Sequence, residues 1–330
     1  MVILGIETSC DETSASILKD GRILSNVIVS QLVHSEYGGV VPYLASKDHE
    51  KLVHRVVLQS VEDSSLSFDD ITAIAVTQGP GLIGSLLIGL NYAKGLSIGL
   101  KIPLIGINHL HGHIASGLID NNIDFPFLCL LVSGGHTQIL KIENETDYIV
   151  LSKTVDDAAG EAFDKGARIL GLKYPGGPEI DKASLNGKLG EYKFTIPKVK
   201  SNIADFSFSG LKTALLYKVN KLSKETMENK ISNIAACYQE SIIDTLFDKL
   251  KIVLNENRVN NILIVGGVSA NTRFRIKSKD FMSDKNVNII FPNLKYCTDN
   301  AAMIAMAGYM KYKKGLSSNI DILPFSSIKN

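Results

Sequence analysis

Several familiar signatures are missing from this sequence. It contains neither GxxxxGK[ST] nor GxGxxG, so neither a P-loop nor a Rossmann dinucleotide site is expected. HExxH is also missing: Leu110 follows His109, so no general-base glutamate stands beside that histidine, which argues against a zinc protease. Cysteine is scarce, with four residues at positions 10, 129, 237 and 297, none in a CxxC pair. Reduced thiols in a cytosol fit that pattern better than a disulfide framework. No charge of one sign dominates: the formal net charge is +1, so composition gives no sign of a nucleic-acid or membrane partner. Any such partner would need a local patch, such as Lys193, Lys198 and Lys200 or Lys311, Lys313 and Lys314, both of which read more simply as solvated surface. The longest apolar stretch, Leu82 to Leu100, is broken by glycines and carries Lys94, so a buried helix is expected there and not a membrane span. The N-terminus opens directly on a strand-like run at Val2, with no basic and apolar leader or transit peptide expected.

What is present is an ordinary globular balance, 45% apolar and 21% charged over 330 residues, enough for two domains. Strand-like and helix-like segments alternate, which predicts an α/β fold. The two halves follow the same order of events. Val2–Ile6, a polar turn and Ser14–Lys19 form one expected hairpin; Phe127–Val132, Ser133-Gly134-Gly135 and His136–Ile142 form the other. Each half then runs from a strand into a glycine turn and helix, first Ala73–Thr77 with Gly79-Pro80-Gly81, then Asn261–Val265 with Gly266-Gly267. Each half next carries a short strand before a further helix: Pro103–Ile107 leads to His109, and Val287–Phe291 leads to Thr298. This order predicts a duplicated fold of two lobes around a cleft, residues 1–125 and 126–330, with a helical insertion over about 150–257 and a C-terminal helix able to pack back on the first lobe. The segment Lys188–Phe208 reads as irregular.

The densest chemistry is at His109, His111 and His113, three of seven histidines. Ile114 to Leu118 favour a helix, and on a helix residues four apart share a face, so His109 and His113 can bind one metal while His111 points away. The junction that corresponds by duplication, Cys297-Thr298-Asp299-Asn300, offers Asp299 as third ligand across the cleft, although Thr298 or Asp299 can also serve as a helix cap. Two imidazoles and a carboxylate suit iron or zinc. Ser133-Gly134-Gly135 and Gly266-Gly267 follow apolar strands, as anion-cradling turns do, because a backbone N–H approaches an anion closely only where Cβ is missing. Asp164 lies with Glu161 and Lys165 on an expected helix, Asp157 to Leu170, and Asp164 and Asp181 flank the Pro175–Pro178 turn. Such carboxylates can accept ribose hydroxyls, and taken alone they read better as surface charge.

The motifs that carry a resemblance run in order from Val2 to about Gly315. They are Gly5 through Ser14, Tyr37 through Pro42, Gly79 through Leu82, Asn108-His109 through Gly112-His113, Leu131 through Thr137, Asp156 through Lys165, Tyr174 through Pro178, Phe206 through Thr213, Gly266 through Asn271, and Cys297 through Asn300. The chain resembles the bacterial and organellar branch of the TsaD family, tRNA N6-adenosine threonylcarbamoyltransferases. The resemblance implies the actin-like ATPase, sugar-kinase and Hsp70-type (ASKHA) fold. It also implies a metal-dependent acyltransferase that moves threonylcarbamoyl from threonylcarbamoyl-AMP to N6 of the adenosine 3′ of the anticodon in tRNAs reading ANN codons, with AMP released. Family metal ligands fall on His109, His113 and Asp299, with Fe2+ expected ahead of Zn2+. Family adenylate contacts fall on Leu131, Val132, Ser133, Gly134, Gly135, Asp164, Gly177, Asp181 and Asn271. The mixed anhydride is already activated, so Asp11 or Glu12 need only orient or deprotonate the incoming amine. His111 departs from the family, which often has an acid there. Bacterial members act with TsaB and TsaE, whereas organellar members act alone, so the resemblance implies TsaB-like and TsaE-like partners, or a homodimer for a chain of the organellar type; the absence of a transit peptide points to a bacterial cytoplasm. The competing readings are an ATP-dependent small-molecule kinase of the same superfold, which would not need the three metal residues, and a non-catalytic nucleotide-binding scaffold.

Overall fold

The computed structural model describes the chain except for residues 146, 195–198, 200–201 and 328–330, so Lys198 and Lys200 lie outside the described residues. In chain order the first elements are β1 (Val2–Glu7), β2 (Glu12–Lys19), β3 (Arg22–Ser30), α1 (Pro42–Asp63), β4 (Ala73–Gly79), α2 (Ile83–Leu100), β5 (Leu104–Asn108) and α3 (His109–Ser116). There follow β6 (Phe127–Val132), β7 (Thr137–Ile142), β8 (Tyr148–Lys153), α4 (Ala159–Ile169), α5 (Gly176–Ser184), α6 (Ser209–Val219), α7 (Lys224–Glu256), β9 (Asn261–Val265), α8 (Thr272–Lys285), β10 (Asn288–Ile290) and α9 (Ala301–Lys313).

The chain forms two compact units, Met1–Asn122 with Pro292–Asn330, and Ile123–Phe291. Each holds one five-stranded sheet, and the two sheets share a strand order: β3-β2-β1-β4-β5 in the first, β8-β7-β6-β9-β10 in the second. In each, the first strand pairs antiparallel with its hairpin partner and parallel with the strand that precedes a glycine turn. The expected repeat of organisation is therefore a repeat of topology.

The sequence pattern divides the chain at 125/126 with a C-terminal helix able to pack back on the first lobe, and Pro292–Asn330 groups with the first unit. The cause is the small-residue face of α9. Ala301 through Gly308 are buried, and a Cβ on Gly5 would stand 2.4 Å from the Ala301 carbonyl oxygen, so β1 and α9 approach as closely as they do only because position 5 is glycine. The β1 run VILGIE is buried throughout because both faces of its sheet are covered. Leu4 and Ile6 pack with Val53, Val57 and Leu90 of α1 and α2, while Ile3 packs with Met303, Ile304 and Ala307 of α9. Full burial of a leucine or isoleucine side chain is worth about 1.5–3 kcal/mol.

Among the described residues α2 alone is long and apolar enough to cross a membrane by length and composition. It packs against α1 and β4 through Leu86, Gly89, Leu90 and Ala93, and Lys94 donates to the Ile322 carbonyl at 2.7 Å. The region expected to be mostly helical opens with β8, an edge strand with Ile149 and Val150 exposed. Helices α4 and α5 follow, and after a break α6 and α7. The described residues of Lys188–Phe208 form no helix or strand beyond one bridge, Thr154 to Phe206.

Candidate metal centre and anion turns

In the first unit β5 ends at Asn108, whose side-chain oxygen accepts from Leu110 N at 2.9 Å and caps α3. That cap sets the helix phase from its first residue, and His109 and His113 fall on one face with ring centroids 4.7 Å apart. Asp299 Oδ1 stands 3.5 Å from His109 Nε2 and 3.2 Å from His113 Nε2. Among the described residues this is the one group of three such side chains whose ligand atoms all lie within 4.8 Å of each other. Asp299 was expected from across a cleft; it belongs to the same unit as the histidines. It is not the helix cap either. Buried Asn300 caps α9 by accepting from Met303 N at 3.2 Å, and donates to the Thr298 carbonyl at 2.7 Å, which leaves the Asp299 carboxylate free to turn toward the imidazoles.

The geometry fits a cation. His113 is fully buried, yet neither ring nitrogen makes a hydrogen bond: Nε2 lies near Asp299 without hydrogen-bond alignment. Buried imidazoles are ordinarily satisfied, so an orphaned one aimed at a carboxylate and a second imidazole marks a shared ion. Ligand spacings of 3.2 and 3.5 Å also match atoms held about 2.0–2.2 Å from a common centre. Behind His109 lies a carboxylate from the end of β1, Glu7, whose partner the sequence alone does not reveal. Buried Glu7 approaches His109 Nδ1 at 3.3 Å, with Ser9 Oγ at 3.2 Å, and is itself held by Thr77 Oγ1 and Ser9 N. A carboxylate on Nδ1 fixes the ring so that Nε2 faces the ion. Burial opposes charge on His109, but Asp299 and Glu7 outweigh it and raise its pKa well above the ordinary value. Burial likewise opposes charge on Asp299, and His109 and His113 outweigh it to hold the carboxyl far below the usual range.

Glu12 begins β2, and Asp11 precedes it in the hairpin turn. Burial first, then Asp299 and Asp11, lift the Glu12 carboxyl well above the usual range. His111 is half-buried on α3 and outside the cluster, and burial, with Lys311 secondary, pushes its imidazole down to about 4. Lys311 is no surface charge: it donates to the Gly106 carbonyl at 3.0 Å, so the patch considered at Lys311, Lys313 and Lys314 loses one member.

In the second unit Leu131 and Val132 are fully buried in β6, so only their backbone at the strand's end is available to a ligand. Ser133 N donates to the His136 carbonyl at 2.8 Å, closing the turn that holds Gly134 and Gly135. Beside it Gly266 sits at φ +92, with its missing Cβ 2.4 Å from the Val132 carbonyl oxygen, a place closed to any side chain. Gly134, Gly135 and Gly177 differ: a Cβ there would meet no protein atom within 4 Å. The carboxylates are not loose surface charge. Asp164 Oδ1 accepts from Gly176 N at 2.7 Å, and Asp181 Oδ2 accepts from Thr272 N at 3.0 Å. Asn271 Oδ1 caps α8 by accepting from Phe274 N at 2.9 Å. Glu161 and Lys165 pair with each other at 2.9 Å, and Lys165 also pairs with Asp157.

Comparison with known proteins adds to this geometry. Residues 22–306 match the family model described as "TsaD: tRNA N6-adenosine threonylcarbamoyltransferase". A Thermosipho africanus protein named tRNA N6-adenosine threonylcarbamoyltransferase is 49% identical over 331 residues, covering 100% of both chains. One from Kosmotoga olearia with the same name is 47% identical over 332 residues, covering 99% of both. Among solved structures, T. kodakarensis HypF superposes with a TM-score of 0.64 at 14% identity, over 95% of this chain and 48% of that one, which shows a shared fold alone.

Proposed function

From the chain's membership of the TsaD family of tRNA N6-adenosine threonylcarbamoyltransferases, we propose that it moves the threonylcarbamoyl group of threonylcarbamoyl-AMP onto N6 of the adenosine 3′ of the anticodon in tRNAs reading ANN codons. N6 attacks the carbamoyl carbon, the bond from that carbon to the phosphate oxygen breaks, AMP leaves, and N6 gives up one proton. The observation that carries the reading is the convergence of His109, His113 and Asp299, with His109 held from behind by Glu7. A kinase of the same superfold has no use for that set. In this reading the three residues would hold one divalent transition metal, iron(II) ahead of zinc, which would supply Lewis acidity toward the acyl phosphate.

The chain's own groups divide the remaining work. The Ser133–Gly135 turn offers backbone N–H groups to the adenylate phosphate, and the open face at Gly177 leaves room for the nucleoside beside Asp164, Asp181 and Asn271. Asp11 or Glu12, in and just after the turn that follows β1, orients the amine or takes the N6 proton. tRNA binding falls steeply with salt, because it depends on phosphate contacts that the weak net charge supplies only locally or through a partner. TsaB-like and TsaE-like proteins are the partners of a bacterial cytoplasmic member; a stand-alone homodimer is the alternative.

The test mixes labelled threonylcarbamoyl-AMP, unmodified ANN-decoding tRNA and the protein, with and without the two partners, and reads nucleosides by mass spectrometry. Threonylcarbamoyladenosine in at least one combination is the expected result. Its absence from all of them, with phosphorylation of a sugar or acetate by ATP, overturns the reading.

A further inference from the structure

Three consecutive residues on α7 each hold a different element of the second unit. The Tyr238 hydroxyl donates to the Ala162 carbonyl of α4 at 2.8 Å. Glu240 takes a two-pronged pair from Arg273 of α8, at 2.7 and 2.8 Å. Between them Gln239 is 2% exposed, and both ends of its amide are used. Its Oε1 accepts from Asn271 Nδ2 at 2.6 Å, and its Nε2 donates to Ser184 Oγ at 2.8 Å, which in turn donates to the Asp181 carbonyl at 2.7 Å. The loop closes on the far side, where Thr272 N donates to Asp181 Oδ2.

We infer that Gln239 is a positioning residue for the adenylate: it fixes which way the Asn271 amide faces and ties α5, with Gly177 and Asp181, to the start of α8. The inference rests on the adenylate reading of that site. The chemistry is directional. Asn271 Oδ1 is committed to Phe274 N, so its Nδ2 can be held only by an acceptor, and one N–H remains for a ligand. Gln239 supplies that acceptor from a side chain whose own donor is anchored, so the amide cannot turn over without breaking both contacts. A ligand-facing N–H held from behind is ordered before the nucleotide arrives.

The experiment titrates AMP calorimetrically into the full-length protein and four variants: Asn271→Ala, Gln239→Met, Gln239→Glu, and Asn271→Ala with Gln239→Met. Gln239→Met should weaken AMP about tenfold in the wild-type background and not at all in the Asn271→Ala background, the pattern of one residue acting through another. Gln239→Glu keeps the acceptor toward Asn271 and should recover affinity to within about threefold of wild type. Metal content should stay constant in all four variants. Wild-type affinity in Gln239→Met beside weakened Asn271→Ala overturns the role of Gln239 and leaves the site standing, as does an additive double variant. Unchanged affinity in Asn271→Ala overturns the adenylate reading itself. Should Gln239→Met not fold, Ser184→Ala, which removes the anchor of the Gln239 donor together with the bond from Ser184 to the Asp181 carbonyl, should weaken AMP about threefold, and wild-type affinity there also overturns the inference.

Discussion

The two units share one strand order and differ in what stands at the ends of the strands. After β1 the hairpin turn is acidic, running from Glu7 to Glu12, and the helix after β5 opens with histidine. After β6 the corresponding turn is Ser133-Gly134-Gly135, and the segments that follow β9 offer backbone and amide groups. One topology therefore presents a set of carboxylates and imidazoles in the first unit and a set of N–H donors in the second. The first suits a cation and the second an anion. Strand order decides where ligands can be met; the side chains at those few positions decide their charge.

If the contrast holds, substitutions in one set leave the other set's ligand alone. The largest effect is expected from Asp299→Ala or His113→Ala. Each removes one of three ligands and should lower iron affinity by more than about 100-fold, beyond the loss typical of an outer-shell change, while AMP binding is untouched. Elemental analysis with AMP calorimetry on the same samples checks both halves. Glu7→Gln comes next: it keeps the size of the buried side chain but removes the carboxylate behind His109, and a loss of about 10–100-fold in iron affinity is expected. Competition against a chelator of known affinity measures it.

Gly177→Val reverses the pattern. No protein atom lies within 4 Å of the new Cβ, so the melting temperature should hold, while AMP binding falls at least about tenfold from loss of close approach. A large drop in thermal stability would mean that the glycine serves the fold instead. The smallest expected effect is that of His111→Ala, which should keep most of the iron because the ring lies outside the cluster. Loss of iron there would sink the choice of His109 and His113 over all three.

The residues at this site were unequally legible. His109 and His113 could be paired from spacing alone, because an i,i+4 pair on a helix shares a face whatever the rest of the fold does. Asp299 could be reached from the internal repeat, but its unit could not. That depends on Gly5 and the alanines of α9 letting a helix lie against β1, a match between positions nearly the whole chain apart. Strands β9 and β6 were readable to the residue as continuous apolar runs between turns, whereas β8, with Ile149 and Val150 exposed at a sheet edge, lacked that pattern. Glu7 and Gln239 are not legible in the sequence as partners of His109 and Asn271, nor is Asn300 as the cap of α9 that leaves Asp299 free. A buried polar side chain looks like any other in sequence, and only the fold reveals which group it holds.

The most direct test of the cation site is the X-ray absorption spectrum of the iron-loaded protein at the iron edge. Two imidazole nitrogens and a carboxylate oxygen should complete the protein's share of the first shell, with the imidazole scattering reduced in His113→Ala. A sulfur neighbour at about 2.3 Å, the distance a cysteine ligand would give, or a spectrum unchanged by His113→Ala, would contradict the account.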